Sequence, residues 1–319
     1  MRDKKCNRSS GIGGQAVLEG VMMKNQERYA VAVRKPDQEI SVETFDYPGL
    51  VKNKTLKNAP IIRGVLNFID SLVLGMRTLT YSASFFEDEE AEKKKEDPVK
   101  AEKKEKREMG FTVCLSVVMA VAIFMILPYY LSLFFQKFVT SPTVLALIEG
   151  VIRLAIFVGY ILLISCMEDI KRVFMYHGAE HKCINCIEHG MELNVENVRK
   201  SSRQHKRCGT SFLLFVMIVS IIFFAFIRVD SPILRVVLRL LLIPVVAGVS
   251  YEFIRLAGRS DNAFVNLLSK PGLWMQGLTT KEPDDAMIEV GIASVEAIFD
   301  WRAYLKEQGI EDKKEDRKG

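Results

Sequence analysis

Between Met109 and Gln136 the chain carries no charged residue. A helix needs about 20 apolar positions to cross the hydrocarbon of a bilayer, and this run exceeds that length. Whatever the rest of the chain folds into must accommodate at least one segment whose solvent is lipid. Three more apolar segments follow. Val144–Met167 holds Glu149 and Arg153 four residues apart in its first turns, where they can pair or snorkel. Ser211–Ile227 is uncharged, and Ile233–Ile254 has Arg235 and Arg239 near its start with a shorter uncharged remainder, so that it spans if those arginines snorkel. The pattern predicts a mainly α integral membrane protein with about four transmembrane helices.

The remainder is polar enough to require segregation, since 49% of residues are apolar and 26% charged. Basic residues near the span ends set the orientation. Lysines crowd the charged run Glu87–Glu108 before the first span. Lys171, Arg172, Lys182, Arg199, Lys200, Arg203, Lys206 and Arg207 lie between the second and third spans, whereas the connections QKFVTSPT and RVDSP hold one basic residue each. This predicts a multi-pass protein of the cell membrane with both termini cytoplasmic; Arg235 and Arg239 on the outer side run against the rule. The net charge of +5 follows that topology and not a nucleic-acid surface. The expected partners are the lipid bilayer, a membrane-associated substrate or protein, or a second copy of the chain, with no nucleic acid. MRDKKCNRSSGIGG has basic residues but no apolar core behind them, so no signal peptide is expected here.

Five regions result. Residues 1–58 form a small cytosolic β element, in which Tyr29–Phe45 alternates around Pro36-Asp37-Gln38 as a hairpin. The preceding GIGGQAVLEGVMMK matches no P-loop or dinucleotide fingerprint and reads as a tight-packing turn. Residues 60–86 form an amphipathic helix in which Ile62, Leu66, Ile69, Val73 and Met76 oppose Arg63, Asp70 and Arg77. It lies at the membrane surface or against the bundle. Residues 87–108 are a charged linker, and 109–254 the four-helix membrane domain with a His/Cys loop at 168–210. Residues 255–319 form a C-terminal cytosolic segment. It has a Pro271-Gly272 turn, Trp274 as an interfacial anchor, and a final amphipathic helix capped by Asp284 with Ile288, Ile292, Val295 and Phe299 on one stripe.

The chemistry concentrates in Met175–Cys208. All four histidines (His177, His181, His189 and His205) and three of the six cysteines (Cys183, Cys186 and Cys208) fall there. Imidazole and thiolate are the commonest protein ligands for zinc. His177-Gly-Ala-Glu180-His181 matches the H-x-x-E-H inverted zinc-peptidase pattern, in which histidines four apart share a helix face and the glutamate handles a proton. At about 100° per residue, His181 lies roughly 40° from His177, Glu188 roughly 20°, and Glu180 about 60° to the other side. Cys183 and Cys186 point away by about 120° or more. A lone C-x-x-C without a second pair is not a zinc ribbon, and without a secretory pattern the cysteines read as reduced thiols or ligands, not disulfides. The expected metal shell is therefore His177 and His181, completed by His205, Cys208 or Glu188 around a divalent ion such as zinc, with Glu180 as catalytic base. Glu168, Asp169 and Glu252 are further carboxylates able to reach that level. The competing reading is a non-catalytic membrane scaffold or complex subunit in which the same cluster is structural.

YHGAEHK (Tyr176–Lys182), RCGTSF (Arg207–Phe212), GGQAVLEGVMM (Gly13–Met23) and LTTKEPDD (Leu278–Asp285) resemble the bacterial YqhQ-like membrane proteins. That resemblance covers nearly the full chain. It implies a domain of unknown function described as a predicted metal-dependent enzyme, with His177, Glu180, His181, His205 and Cys208 as its polar centre.

Overall fold

The computed structural model describes residues 9–51, 53–86, 98–227, 229, 231–258 and 262–310. The chain is mainly helical, with an antiparallel sheet at its N-terminal end and two compact units. Unit 1 comprises residues 1–86, 164–214 and 248–319, and unit 2 residues 87–163 and 215–247. The charged run at 87–97 lies outside the described residues.

The sheet of unit 1 is a four-stranded meander, β1 (Gly13–Val17), β2 (Gly20–Asn25), β3 (Arg28–Arg34) and β4 (Ile40–Asp46), paired in chain order. The expected hairpin around Pro36 is β3 and β4, with Arg34 opposite Ile40. The glycine-rich segment before it is two further strands, not a turn alone. Gly13 pairs with Lys24 and Val17 with Gly20, and the chain reverses at Leu18-Glu19. Both faces of the central strands are covered. Val17, Met22, Tyr29, Val31 and Val33 meet Leu74, with Tyr81 and Phe85 packed alongside. Ile12, Val21, Met23 and Ala32 pack on the opposite side with the helix that carries His177 and His181 and with the C-terminal helices.

A short helix, α1 (Lys54–Asn58), is capped by the Asn53 side chain and precedes α2 (Ile62–Ala83). Unit 2 contains α3 (Pro98–Val121), which passes through a π turn at Ala122–Ile126 into α4 (Leu127–Leu133), and α5 (Pro142–Ile164). The π turn lies just ahead of Pro128, which has no amide to donate to the turn before it. Then come α6 (Glu168–Glu188), α7 (Val195–Lys200), α8 (Gly209–Ala225) and α9 (Pro232–Ala257). The chain closes with α10 (Ala263–Thr279), α11 (Asp285–Glu296) and α12 (Trp301–Glu307).

Among the described residues, three helices are long and apolar enough to cross a membrane: Arg107–Lys137, Pro142–Ile164 and Pro232–Ala257. The third apolar segment, α8, is a shorter helix of 17 residues, about 25 Å at 1.5 Å per residue. Arg239 does not snorkel. It is 3% exposed and donates to both oxygens of Glu149, which also accepts from Arg153 at 2.7 Å. Arg153 donates in addition to Ser220, and both guanidiniums lie about 5 Å from the Phe224 ring.

Two expectations about the C-terminal part fare differently. Pro271-Gly272 is not a turn, because α10 runs through it unbroken. A proline costs the helix one bond, to the carbonyl four residues back, here that of Leu267. Asp284 does cap α11, accepting from the Met287 amide at 2.8 Å. Ile288 and Val295 of its apolar stripe are buried in the core that includes α6 and the sheet.

Candidate metal centre

Helix α6 positions the site. From Tyr176 to Ile187 nearly every residue is buried, so its polar groups must find partners inside the unit. Lys182 donates to the Arg199 carbonyl at 2.8 Å and pairs with Glu282 at 2.5 Å. Asn185 donates to the carbonyls of Ser202 and Gln204. These bonds clamp the loop that leads to Cys208 against the helix. The helix ends where expected, with His189 as its cap and Gly190 at φ +74°.

On this frame His177, His181 and Cys208 converge. Each offers one ligand atom within 4.8 Å of the others, so the group can hold a metal ion. Cys208 Sγ is 3.3 Å from His177 Nε2. Ligands to zinc at about 2.05 Å (N) and about 2.3 Å (S) stand roughly 3.6 Å apart in a tetrahedron, so this spacing fits. Both imidazoles are oriented from behind. His177 Nδ1 lies 2.9 Å from the Thr279 carbonyl, and His181 Nδ1 2.6 Å from the Arg203 carbonyl. A carbonyl only accepts, so each ring carries its proton on Nδ1 and presents Nε2 to the centre, as metal-binding histidines do.

Glu180 lies beside them. Its Oε2 is 3.7 Å from Nε2 of both His177 and His181, and the residue is 4% exposed. Against its stem packs Gly14 of β1, where a Cβ would stand 2.9 Å from Glu180 Cγ. Without a metal the cluster shares charge. Burial disfavours protonated His177, but the facing Cys208 sulfur and Glu180 outweigh it and raise its pKa to about 9. Burial likewise opposes the Cys208 thiolate, yet His177 and His181 hold the thiol well below its ordinary range. Thr210 supports the sulfur, with its hydroxyl at 3.0 Å and its amide donating at 3.4 Å.

The other predicted ligands form a separate pair. His205 Nε2 lies 3.5 Å from Glu188 Oε2, while Glu188 Oε1 accepts from Arg207, from the Ser10 amide and from the Ser10 hydroxyl. Burial opposes its charge, but His205 and Arg207 prevail and hold Glu188 below the usual carboxylate range. Glu188 thus ties the segment before β1 to the loop before Cys208. The His205 main chain is fixed on both sides by Gln276 of α10. Glu252 is engaged elsewhere, accepting from Arg63 Nε at 2.6 Å. Cys183 and Cys186 are buried in the core, as their register predicts, with Cys183 against α11 at Gly291. Burial pushes both thiols up, that of Cys186 to about 12.

Sequence reading missed the groups that orient the ligands. Two are main-chain carbonyls, of Thr279 and Arg203, which no residue type announces. Gly178 is the third: a Cβ there would lie 2.1 Å from the Lys281 carbonyl oxygen. Its place between two site residues in YHGAEHK, and the position of Thr279 in LTTKEPDD, were the available signals.

The fold and site define a mainly helical protein with, among the described residues, three helices long and apolar enough to cross a membrane, and with a His/His/Cys group. The chain belongs to the family described as "Protein of unknown function (DUF1385)", whose model matches residues 59–301. It is similar, at 36% identity over 303 residues, to "Uncharacterized protein YqhQ" of Bacillus subtilis (strain 168), covering 93% of this chain and 94% of that protein. No solved structure matches it.

Proposed function

We propose that this is a four-span protein of the cell membrane, with α8 as its third span and both termini in the cytoplasm, and that it is a metal-dependent hydrolase acting at the membrane surface. His177, His181 and Cys208 would hold a divalent ion, with zinc favoured by the nitrogen and sulfur donors. The observation that carries this reading is the paired orientation of the two imidazoles. Both turn Nε2 toward Cys208 with the Glu180 carboxylate 3.7 Å from each. When bound, the metal supplies Lewis acidity, making water a nucleophile near neutral pH and polarising the bond under attack. Glu180 holds and returns the proton at Oε2. His205 and Glu188 shape the wall behind Cys208.

The second reading, a non-catalytic scaffold with a structural metal, draws on burial: His181 is 1% exposed and Cys208 4%. Structural zinc sites are closed by four protein ligands, whereas catalytic ones keep a position open. Metal analysis of the purified full chain, beside His181→Ala and Cys208→Ser, tests the site. About one ion per chain, lost in both variants, is expected; equal near-zero metal in all three refutes it. X-ray absorption then separates the readings. Three protein donors plus a light exchangeable one support hydrolysis, and four protein donors support the scaffold.

A further inference from the structure

Helix α2 is packed inside out. Its inner face carries Gly64, Phe68, Gly75, Thr78 and Ser82, of which Gly64, Thr78 and Ser82 are buried, together with Leu74, which packs on the sheet. Gly64 closes on Gly248 and Tyr251 near the end of α9, Phe68 packs on Phe212 at the start of α8, and Gly75 and Thr78 meet Gln15 of β1. Most of its other large apolar side chains point out: Leu72 is 54% exposed, Leu79 46%, Met76 44% and Ile69 43%. The charged residues occupy a third face, where Arg63 is bound to Glu252 and Asp70 accepts from Tyr47 and from the Leu50 amide. Helix α10 repeats the pattern. Ser269, Gly272, Gln276 and Thr279 face inward beside Val265 and Met275, while Phe264, Leu267 and Trp274 are more than half exposed.

A water-facing helix does the reverse, burying its large apolar residues and exposing its polar ones. Large residues outward and small ones inward are what a helix adopts where its surroundings are as apolar as leucine. The occupant of these faces also follows from continuity. The first turn of α2 is bound to the last turns of α9, a helix long and apolar enough to span, through the Gly64–Gly248 approach and the Arg63–Glu252 ion pair. A helix starting at the end of a span starts in the plane of the bilayer surface. With Arg63 paired to Glu252 and Arg77 over the Tyr47 ring, α2 has no basic stripe that would require anionic lipid.

We infer that α2 and α10 are monotopic membrane helices, lying in the bilayer interface with Ile69, Leu72, Met76, Phe264, Leu267 and Trp274 in the acyl boundary. This holds unit 1 on the lipid surface by its own face, in addition to the spans. Their inner faces reach the His/His/Cys group: α10 supplies the Thr279 carbonyl to His177, and α2 supports β1 one residue from Gly14. The inference does not depend on the metal or on catalysis.

The chain has two tryptophans. Trp274 is 58% exposed on this face and Trp301 is 2% exposed in the core, which gives the protein its own probe and control. The full-length protein is reconstituted into phosphatidylcholine vesicles with and without acyl-chain-brominated lipid. Bromolipid should quench roughly half or more of the Trp274 emission, as for a ring roughly 5–10 Å into the boundary. It should spare what remains in Trp274→Phe. Leu72→Trp in that Trp274→Phe background should restore quenching for α2, and Asn67→Trp on its polar face should not. High salt should leave the result unchanged. Trp274 and Leu72→Trp quenched by aqueous acrylamide and not by bromolipid would overturn the inference. So would disulfide cross-linking between copies of Met76→Cys without bromolipid quenching, which would assign the face to a second copy of the chain.

Discussion

Gly178 offers the sharpest test of how the site is held. An alanine Cβ at this position would lie 2.1 Å from the Lys281 carbonyl oxygen and 3.3 Å from Pro283 Cδ. Ordinary contact begins at 3.4 Å, so the segment after α10 must retreat by about 1.3 Å. It cannot do so freely, because the Lys281 amide is bonded to the Phe174 carbonyl at 2.8 Å on the same helix. Overpacking of this kind costs about 1–3 kcal/mol, and the helix-propensity gain of alanine over glycine returns about 1 kcal/mol. The net loss of stability is then roughly 0–2 kcal/mol. The effect on the site is larger, since Lys281 is two residues from Thr279, whose carbonyl orients His177 at 2.9 Å. Loss of an orienting partner lowers metal affinity about 10–100-fold. Gly178→Ala should therefore weaken metal binding by that factor in a chelator competition on the full chain in detergent, with only a small shift in thermal unfolding. Gly277→Ala is the control. It lies in α10 with nothing within 4 Å of the added Cβ, and should stabilise slightly and leave affinity alone. Wild-type affinity in Gly178→Ala would show that the Thr279 carbonyl does not set the ligand geometry.

Other predictions follow from the same contacts. Cys183→Ala with Cys186→Ala should leave metal content unchanged, because both thiols are core groups turned from the site; metal loss on elemental analysis would overturn that assignment. Metal affinity should rise by at least about tenfold per pH unit from neutrality toward about pH 9, since the Cys208 sulfur and Glu180 raise both His177 and His181 against the effect of burial. His177 in the metal-free site keeps its proton up to that pH and must release it on binding; a flat profile in competition titrations would place the proton elsewhere. In unit 2, Glu149→Ala should destabilise by about 3–5 kcal/mol, because it leaves Arg153 and Arg239 buried without their anion. Replacing all three with apolar residues of similar size should recover most of that loss in a thermal-shift assay, and failure to recover would mean that the cluster does more than hold helices together.

What the sequence made legible is what depends on neighbours along the chain. The apolar runs, the Asp284 cap, the glycine stop after α6 and the shared face of His177 and His181 all follow from local spacing, and the structure has them. What it hid depends on partners distant in sequence. The segment GGQAVLEGVMM shows no clean alternation, because β2 is buried on both faces of the sheet and has no polar side to display. Arg239 reads as a snorkelling residue, yet it lies seven residues into α9, about 10 Å from the helix start, and Glu149 lies equally deep in α5. Those two depths match only once the helices are side by side.

Glu188 shows the same limit within a single helix. Its angle agrees with that of His177 to roughly 20°, but it lies three turns further along α6, about 16 Å up the axis. A shared face is therefore not a shared site. Glu188 meets instead what the returning loop brings to that level, His205 and Arg207, while Cys208 from the same loop comes within ligand distance of the histidine pair. The orientation of α2 is hidden for a different reason. Its apolar stripe is evident in the sequence, but whether such a stripe faces a protein core or a lipid surface depends on what the opposite face must pack against. Here the small residues Gly64, Gly75, Thr78 and Ser82 supply that packing, through close approaches to α9 and β1 that large side chains would block. Enlarging the inner face tests this directly. Gly64→Leu should displace α2 from the end of α9, where even a Cβ would stand 2.8 Å from Tyr251 and 2.9 Å from Gly248, and cost about 1–3 kcal/mol. Leu72→Ala on the outer face should change thermal stability in detergent little. If the two substitutions exchanged effects, the inward face would be the apolar one and the membrane-surface assignment of α2 would fail.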